Sequence, residues 1–422
     1  MKQHLEKLDY PKTILIGFGF FAVSIAWSMY NANVPLMLEK FISSATVIGL
    51  VMSIDNIFAV LLQPLFGSLS DRTRSKRGRR MPYLLVGIPL SVVFFVLIPF
   101  CDAVWSIMAA VILFNFTMSI WRTPAIALMP DATPPRLRSR ANGVINLMGG
   151  IGSILAFVLG GLLFDLGGMP LPFFFSGLIM LAAWLTMMFL VKEPPLPPEA
   201  YETPEKAEPS GGAASSKEGA RGANLSLFLI LLAIFFWFVS INSIETYFTL
   251  YASNVLGLEA GDAMVTLAFF AVSFVVSALP AGIIGTKFGR KKTIMTGLVG
   301  LALLLSAAYF LRDLWVIRCC LVVAGFFWGL VNINSLPMVV EIAKSSRIGK
   351  YTGYYYFFSQ AASIASPLLF GLIQDLTQNY SNLFIYSPVG ILCAILCMVF
   401  VRHGEAPVDE EELQAEVEAL SE

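Results

Sequence analysis

The chain has 422 residues, of which 57% are hydrophobic and 13% charged, and its mean hydropathy is +0.75. This composition excludes an ordinary soluble globular domain, in which about a quarter of the residues are charged. Lys plus Arg and Asp plus Glu number 28 each, so the net charge is zero and favours no particular partner. No nucleic-acid partner is expected, and the composition indicates a protein that lies mainly in lipid.

Apolar stretches of membrane-spanning length occur throughout the chain. A helix needs about 20 apolar residues to cross about 30 Å of hydrocarbon. The first half contains six such stretches, near 12–37, 46–69, 81–101, 104–130, 141–165 and 170–191. The second half contains six more, near 224–253, 262–285, 293–311, 314–341, 351–374 and 381–401. We therefore predict an all-α membrane protein with twelve transmembrane helices. The first span lacks the features of a cleaved signal peptide, so we expect it to remain as helix 1.

The two halves share one pattern at a constant offset of 210 residues. The superposed pairs are Trp105 and Trp315, Asp131 and Glu341, Arg140 and Lys350, Gly143 and Gly353, Gly161 and Gly371, and Asp165 and Asp375. We interpret the chain as two pseudo-symmetric six-helix bundles, 1–192 and 224–403. Parallel repeats of this kind are typical of secondary transporters, whose substrate site lies near the bilayer midplane between the halves.

Two polar segments lie outside the predicted bundles. Residues 193–223 are rich in Pro, Ala, Gly, Ser and charge, which predicts a flexible cytoplasmic linker. Residues 404–422 form an acidic cytoplasmic tail, which we interpret as a solvated terminus, with a regulatory role as the alternative.

The basic residues predict the orientation. With both termini in the cytoplasm, 24 of the 28 Lys and Arg residues fall in cytoplasmic segments, as the positive-inside rule requires. We therefore expect a multi-pass protein of the plasma membrane, or cell inner membrane, surrounded by lipid and monomeric.

Cysteine and histidine indicate no metal or catalytic site. The five cysteines lie in or at the ends of apolar spans without metal-ligand spacing, so we interpret them as packing residues. His4 and His403 lie outside the spans, so carboxylates would have to carry any proton relay. Because no nucleophile, metal cluster or nucleotide-binding loop is evident, we expect no enzyme activity and no cofactor.

The predicted loop between helices 2 and 3 reads QPLFGSLSDRTRSKRGRRMPY. It resembles the cytoplasmic loop signature of the major facilitator superfamily, whose fold is a pair of six-helix bundles. The residues assigned to it are Gly67, Asp71, Arg72, Gly78, Arg79 and Arg80. Gly at the first position allows close helix packing, and the Asp can accept hydrogen bonds from Arg. The resemblance implies a gate that breaks and reforms during transport; a purely topogenic basic loop is the alternative.

The corresponding loop between helices 8 and 9 reads GIIGTKFGRKK. It keeps Gly289 and Arg290 but has Thr286 where an acid would lie, so we expect a weaker second gate. Four more charged residues are assigned to the gates because they recur at the 210-residue offset: Asp131, Arg140, Glu341 and Lys350.

A second resemblance covers helix 4 and the following loop, TPAIALMPDATPPRLRSRANGVINLMGG. This segment and the preceding loop insertion are similar to the sucrose transporters and the related glycoside, pentoside and hexuronide cation symporters. The matching residues are Pro124, Ala127, Leu128, Asp131, Arg140, Ala141 and Asn142. Two positions depart from the group, because Asn115 replaces an acid of the plant carriers and Ile126 replaces an Arg. The resemblance implies cation-coupled sugar transport, but that proton site does not carry over.

Charged residues inside the predicted spans are few. Each costs about 2.5 to 3.5 kcal/mol at the bilayer centre, so each calls for a partner, a watery cavity or a function. We assign cation coupling to Asp55, Arg122 and Glu245. Asp55 is the best candidate, and a permanent structural pair of Asp55 with Arg122 is the alternative. We expect Arg318, near the start of helix 10, to extend to the outer interface.

Amides, aromatic rings and charges on the spans are candidates for substrate contacts, because they can hydrogen-bond sugar hydroxyls or stack on a sugar ring. We assign substrate binding to Asn31, Gln63, Asn115, Trp121, Arg122, Asn146, Asn242, Glu245, Trp328, Asn332, Tyr355 and Gln360.

Together these features predict a symporter that moves a disaccharide or other glycoside with a proton, or with sodium, by alternating access. The alternative is a proton-driven exporter of small amphipathic compounds, which would be favoured by a cavity lined mainly by Phe and Met, with Asp55 facing protein.

Overall fold

The computed structural model describes residues 8–133, 137–193, 217–342 and 348–402. For 138–140, 217–223 and 348–350 it describes the backbone only. The described residues form twelve long helices, all long and apolar enough to cross a membrane. They are α1 Tyr10–Glu39, α2 Ala45–Arg72, α3 Met81–Leu97, α4 Val104–Ala132, α5 Arg138–Gly167, α6 Pro170–Leu190, α7 Lys217–Leu256, α8 Ala260–Phe288, α9 Arg290–Ala308, α10 Leu314–Ile342, α11 Ile348–Thr377 and α12 Leu383–Phe400. The predicted all-α fold with twelve spans is confirmed.

The helix starts follow ordinary capping chemistry. α1 begins after Asp9, whose carboxylate accepts a hydrogen bond from the backbone N–H of Lys12 at 3.1 Å. α2 begins after Ser44, whose hydroxyl accepts from the backbone N–H of Val47 at 3.3 Å. Both side chains satisfy a backbone donor that the first helical turn leaves unpaired.

The start of α7 differs from the prediction. Residues 217–223, which the sequence assigned to the linker, are already helical, because α7 begins at Lys217. The rest of the linker and the acidic tail lie outside the described residues.

The chain divides into two compact units. The first contains α1 to α6 together with Phe248–Ala268, and the second contains the rest of α7 and α8 with α9 to α12. The segment Phe248–Ala268 was assigned by sequence to the second bundle. It groups with the first unit through close contacts: the Asn33 amide nitrogen lies 3.1 Å from the Met264 sulfur, and a Cβ on Gly161 would lie 2.6 Å from the Gly261 carbonyl oxygen.

Small residues allow the helices of each unit to approach closely. In the first unit, a Cβ on Gly152 of α5 would lie 2.7 Å from the Phe21 carbonyl oxygen of α1. In the second unit, a Cβ on Gly297 of α9 would lie 2.7 Å from the Phe327 carbonyl oxygen of α10. Such backbone approach is how helices associate in lipid, where no hydrophobic force drives them together.

Candidate functional site

The first unit encloses two of the predicted coupling charges. Asp55 of α2 is 5% exposed, and its carboxylate accepts a hydrogen bond from the Asn56 side chain at 2.7 Å. Arg122 of α4 is half-buried, and its guanidinium carbon lies 4.8 Å from the ring centre of Trp27. Among the described atoms, the Arg122 Nε has no hydrogen-bond partner although it is buried.

Asp55 and Arg122 attract each other without touching. Each contributes to the electrostatic environment of the other. Among the described residues, no ion pair of 4.0 Å or less joins the Asp55 carboxylate to the Arg122 guanidinium. The permanent structural pair that sequence left open is therefore not formed in this conformation. An acid that keeps no fixed ionic partner can exchange a proton without first breaking a salt bridge.

A polar aromatic wall lies beside these charges. Tyr30 is fully buried within electrostatic range of Asp55, and its ring stacks between Trp27 and Phe114, with centroids 5.9 and 5.6 Å away. The Asn115 amide nitrogen lies 3.4 Å from the Tyr30 hydroxyl and donates to the Val111 carbonyl at 3.0 Å. The Asn115 carbonyl oxygen is buried without a described partner. Sequence analysis assigned Asn115 to substrate binding and left Trp27 and Tyr30 open, as rings that could stack on a sugar or belong to the core.

Glu245 of the second unit lies in a different setting. From Ile230 to Ala252 every residue of α7 is buried or half-buried except Glu245, which is exposed. The exposure at Glu245 is therefore local, on a stretch of helix that is otherwise enclosed. No described residue forms a hydrogen bond or ion pair with its carboxylate. Asn242, one turn earlier, donates its side-chain amide to the Phe238 carbonyl at 2.7 Å.

Aromatic rings surround the same face of α7. Phe238 meets Trp328 of α10 edge-on at 5.6 Å and Tyr355 of α11 at 6.3 Å. The Tyr355 hydroxyl lies 3.0 Å from the Ser335 hydroxyl. We call Phe238, Trp328 and Tyr355 the aromatic cluster. Its first member was missed from sequence, because a Phe in a chain so rich in aromatics carries no positional signal.

Several predicted substrate residues have other surroundings. Trp121 is a correction: it is fully buried, its indole N–H donates to the Ser91 hydroxyl at 2.9 Å, and it packs against Gly87, so it joins α4 to α3. Asn146 is exposed and donates to its own helix at the Asn142 carbonyl, 2.8 Å away. The remaining candidates are half-buried: Asn31, Gln63, Asn332 and Gln360.

Arg318, about one turn into α10, is enclosed by protein. It is 8% exposed, with its guanidinium carbon 5.0 Å from the Trp315 ring and 5.5 Å from the Phe269 ring. Its extension to the outer interface stays a prediction. Aromatic faces attract the guanidinium, which allows it to remain inside the unit.

The predicted first gate is a charge network that joins three helices of one unit. Arg79, just before α3, donates to both oxygens of Asp131 on α4, at 3.2 and 2.6 Å. Arg80 donates to Asp131 at 2.9 Å and also to Asp71 of α2, so it links α4 to α2. Arg80 also donates to the Ser70 hydroxyl. A Cβ on Gly67, the first glycine of the motif, would lie 3.1 Å from the Thr123 side chain of α4.

Glu193 completes this network and was not predicted. It follows α6, and its carboxylate accepts hydrogen bonds from the backbone N–H groups of Arg79, Arg80 and Met81 at 3.0, 2.9 and 3.1 Å. A carboxylate at a helix N-terminus is stabilised by the free N–H groups and by the helix dipole. Sequence gave no signal for this contact, because Glu193 was assigned to the linker.

The second gate is smaller among the described side chains. Arg290 pairs with Glu341 of α10, as Arg79 does with Asp131. Thr286 hydrogen-bonds only its own helix, at the Gly282 carbonyl 2.9 Å away. Lys291 donates to the Val401 carbonyl at the end of α12, at 2.6 Å. Arg72 is exposed at the end of α2, and the side chains of Arg140 and Lys350 lie outside the described set.

Both gates share an unusual backbone position. Gly78 and Gly289, immediately before the basic residues, have φ of 101° and 93°. Only glycine adopts this left-handed region without strain. The two loops are therefore equivalent in their backbone even where their side chains differ.

Comparison with known proteins agrees with this architecture. The chain is 25% identical over 375 residues to the multidrug resistance protein MdtG of Citrobacter koseri, covering 86% of this chain and 88% of that protein. It is 25% identical over 348 residues to the class B tetracycline resistance protein of Escherichia coli, covering 81% and 83%. These relatives do not confirm the resemblance to the sucrose transporter group.

A solved structure and a family model identify the fold. The structure is similar to an inward-facing, unoccupied bacterial homolog of the human lysosomal transporter Spinster, with a TM-score of 0.69 and 14% identity over 94% of this chain and 95% of that one. The family model of the Major Facilitator Superfamily matches residues 16–276 and 259–421. The chain is therefore an integral multi-pass membrane transporter that belongs to the major facilitator superfamily.

Proposed function

We propose that the protein is a proton-driven exporter of small amphipathic compounds. The observation that carries this proposal is the state of Asp55, which is enclosed by protein and near Arg122 without an ion pair. A sugar symporter was the first expectation from sequence, and the exporter was the alternative, favoured by a cavity lined mainly by Phe and Met with Asp55 facing protein. The enclosure of Asp55 supports the second part of that criterion. The names of the relatives, which refer to multidrug and tetracycline resistance, also favour the exporter.

The proposed coupling follows from electrostatics. When Asp55 is ionised, it attracts Arg122, which draws α2 toward α4; when it is protonated, the attraction is lost. Proton binding therefore changes the relative energy of two packings of the first unit. One charge crossing 100 mV releases about 2.3 kcal/mol, which supports a concentration ratio of roughly fifty. One titrating acid is energetically sufficient for export.

The proposed orientation places both termini in the cytoplasm of a plasma or cell inner membrane. The network of Asp71, Arg79, Arg80 and Asp131 then lies on the cytoplasmic side. We propose that this network stabilises the helix ends of the first unit while substrate enters from that side. A sugar symporter would instead couple the inward movement of the sugar to the inward movement of a proton.

The test uses purified protein in proteoliposomes with an imposed pH gradient. Labelled amphipathic compounds and labelled sugars are compared for wild type, Asp55→Asn and the control Asp102→Asn, an exposed acid between α3 and α4. We expect gradient-driven accumulation of amphipathic compounds by wild type and the control. Asp55→Asn should keep exchange but lose accumulation, because its site no longer titrates.

Two outcomes would contradict the proposal. Gradient-driven uptake of a sugar, with no movement of amphipathic compounds, would establish the symporter. Unchanged accumulation by Asp55→Asn would remove Asp55 from the coupling mechanism.

A further inference from the structure

The carboxylate of Glu245 lies in the middle of a membrane-spanning helix without a described partner. A charge at the bilayer centre costs about 2.5 to 3.5 kcal/mol, so retention of this one calls for a compensating interaction. An ionised Glu245 therefore needs a cation or hydrogen-bond donors from a bound compound; otherwise the carboxyl takes up a proton.

Glu245 shares one face of α7 with a polar and an aromatic side chain. The residues on both sides of Glu245 along α7 are enclosed, and the face that carries it also carries Asn242 and Phe238. Phe238 in turn contacts Trp328 and Tyr355, which come from α10 and α11. Phe238 precedes Glu245 by two helical turns, about 10 Å, and is half-buried, whereas Trp328 and Tyr355 are buried. A compound of about that length at Glu245 would meet the aromatic cluster at Phe238.

The side chains around Glu245 favour a positively charged ligand. α7 has no Lys or Arg from Asn224 to Leu256. One N–H of the Asn242 side-chain amide is used by the Phe238 carbonyl, and the amide oxygen forms no described hydrogen bond, so it can act as an acceptor. A carboxylate and an amide oxygen both accept hydrogen bonds or attract cations, and aromatic faces attract cations as well. A negatively charged compound would find only repulsion from Glu245.

We propose that Glu245 and the aromatic cluster bind the positively charged head of a monovalent amphipathic cation, with the rings contacting its apolar part. This inference rests on the proposed export function and names the class of compound. It gives the two acids separate roles, since Asp55 exchanges the proton and Glu245 selects the charge of the substrate.

The experiment measures binding to purified protein by equilibrium dialysis. The probes are tetraphenylphosphonium, a monovalent lipophilic cation, and triphenylphosphine oxide, a neutral compound with similar rings. Glu245→Gln is compared with wild type and with Glu259→Gln, the same change at an exposed acid between α7 and α8. We expect Glu245→Gln to weaken phosphonium binding by about tenfold or more and to leave the neutral compound within about twofold. Glu259→Gln should change neither.

A carboxylate-restoring variant sharpens the result. Glu245→Asp keeps the charge on a shorter side chain, so it should bind tetraphenylphosphonium more tightly than Glu245→Gln. Retained binding of the neutral compound shows in each case that the variant is folded.

The outcomes separate the two proposals. If wild type binds and moves both probes but Glu245→Gln weakens them equally, Glu245 does not select charge and this inference fails alone. If Glu245→Gln abolishes proton-driven movement of both probes while binding is unchanged, Glu245 carries the proton instead, and the inference again fails. If wild type moves neither probe but accumulates a sugar, the export function itself fails.

Discussion

α3 and α9 begin in the same way but are held by different partners. Each is preceded by a glycine with positive φ, and each has an arginine paired with an acid on the following helix, Asp131 for Arg79 and Glu341 for Arg290. Beyond this shared pair the two units diverge. The first adds a second arginine, a second aspartate and Glu193, whereas the second adds Lys291 on the end of α12.

This difference shows which parts of a repeated fold are under common constraint. The backbone turn and one ion pair recur because they fix where a helix begins and which neighbour it meets. The additional charges differ between the units: Arg80, Asp71 and Glu193 extend the first network, and Lys291 meets the end of α12 in the second. Three pairs of substitutions test whether the charge network stabilises the first unit more than the corresponding contacts stabilise the second unit.

The largest effect is expected from removal of the shared acid. Asp131→Ala leaves two largely buried arginines with fewer partners, and loss of one member of a buried pair costs about 3 to 5 kcal/mol. Glu341→Ala breaks a more exposed pair, and such pairs contribute about 0.2 to 1 kcal/mol. Thermal unfolding of the purified protein in detergent should therefore show a much larger fall in Tm for Asp131→Ala. Equal falls would mean that the first network is no stronger than the second pair.

A smaller difference is expected at the two glycines. A side chain in the left-handed region costs about 1 to 2 kcal/mol at either position. At Gly78 the new Cβ would also lie 2.7 Å from the Glu193 Cβ, so the carboxylate would have to leave the start of α3. Gly78→Ala should therefore lower Tm more than Gly289→Ala.

The control for this prediction is a background that lacks the obstructing side chain. In Glu193→Ala protein the two glycine substitutions should lower Tm by similar amounts. If Gly78→Ala remained more harmful there, the clash with Glu193 would not be its cause.

The smallest difference is expected where the units use opposite charges. Glu193→Ala removes the acceptor for three backbone N–H groups, and loss of an N-terminal cap costs about 0.5 to 2 kcal/mol. Lys291→Ala removes a cation from the end of α12, an interaction of about 0.3 to 1 kcal/mol. Hydrogen exchange followed by mass spectrometry should show faster exchange at residues 79–81 in Glu193→Ala. No change in exchange there would refute the capping role.

The charge network illustrates how far local sequence reaches. Asp71, Arg79 and Arg80 were predicted from one short motif, and Asp131 was added because it recurs in the second half. Glu193 could not be predicted, because it is far from this motif in sequence and reaches it only through the packing of α6 beside α3. The motif and the repeat predicted four residues of the network, Asp71, Arg79, Arg80 and Asp131. Only the fold revealed the fifth, Glu193.

The membrane charges show the same limit. Asp55, Arg122 and Glu245 could be recognised as exceptional because charges in apolar spans are costly. Their settings could not be predicted. One acid is buried near an arginine, whereas the other is locally exposed on the face of α7 that also carries Phe238. Trp121 was assigned to the substrate, but it is in the core, because a large ring serves equally well in either place.

The amino-acid sequence by itself determined the number of helices, the twofold repeat and the positions of the basic loops. Long apolar stretches must become helices in lipid because no water is present to satisfy the backbone. Only the tertiary structure decided which side of each helix faces protein, and therefore which polar residues meet. A helix that is apolar on every side carries no stripe that marks its buried face, so its rotation is set by the shapes of its neighbours.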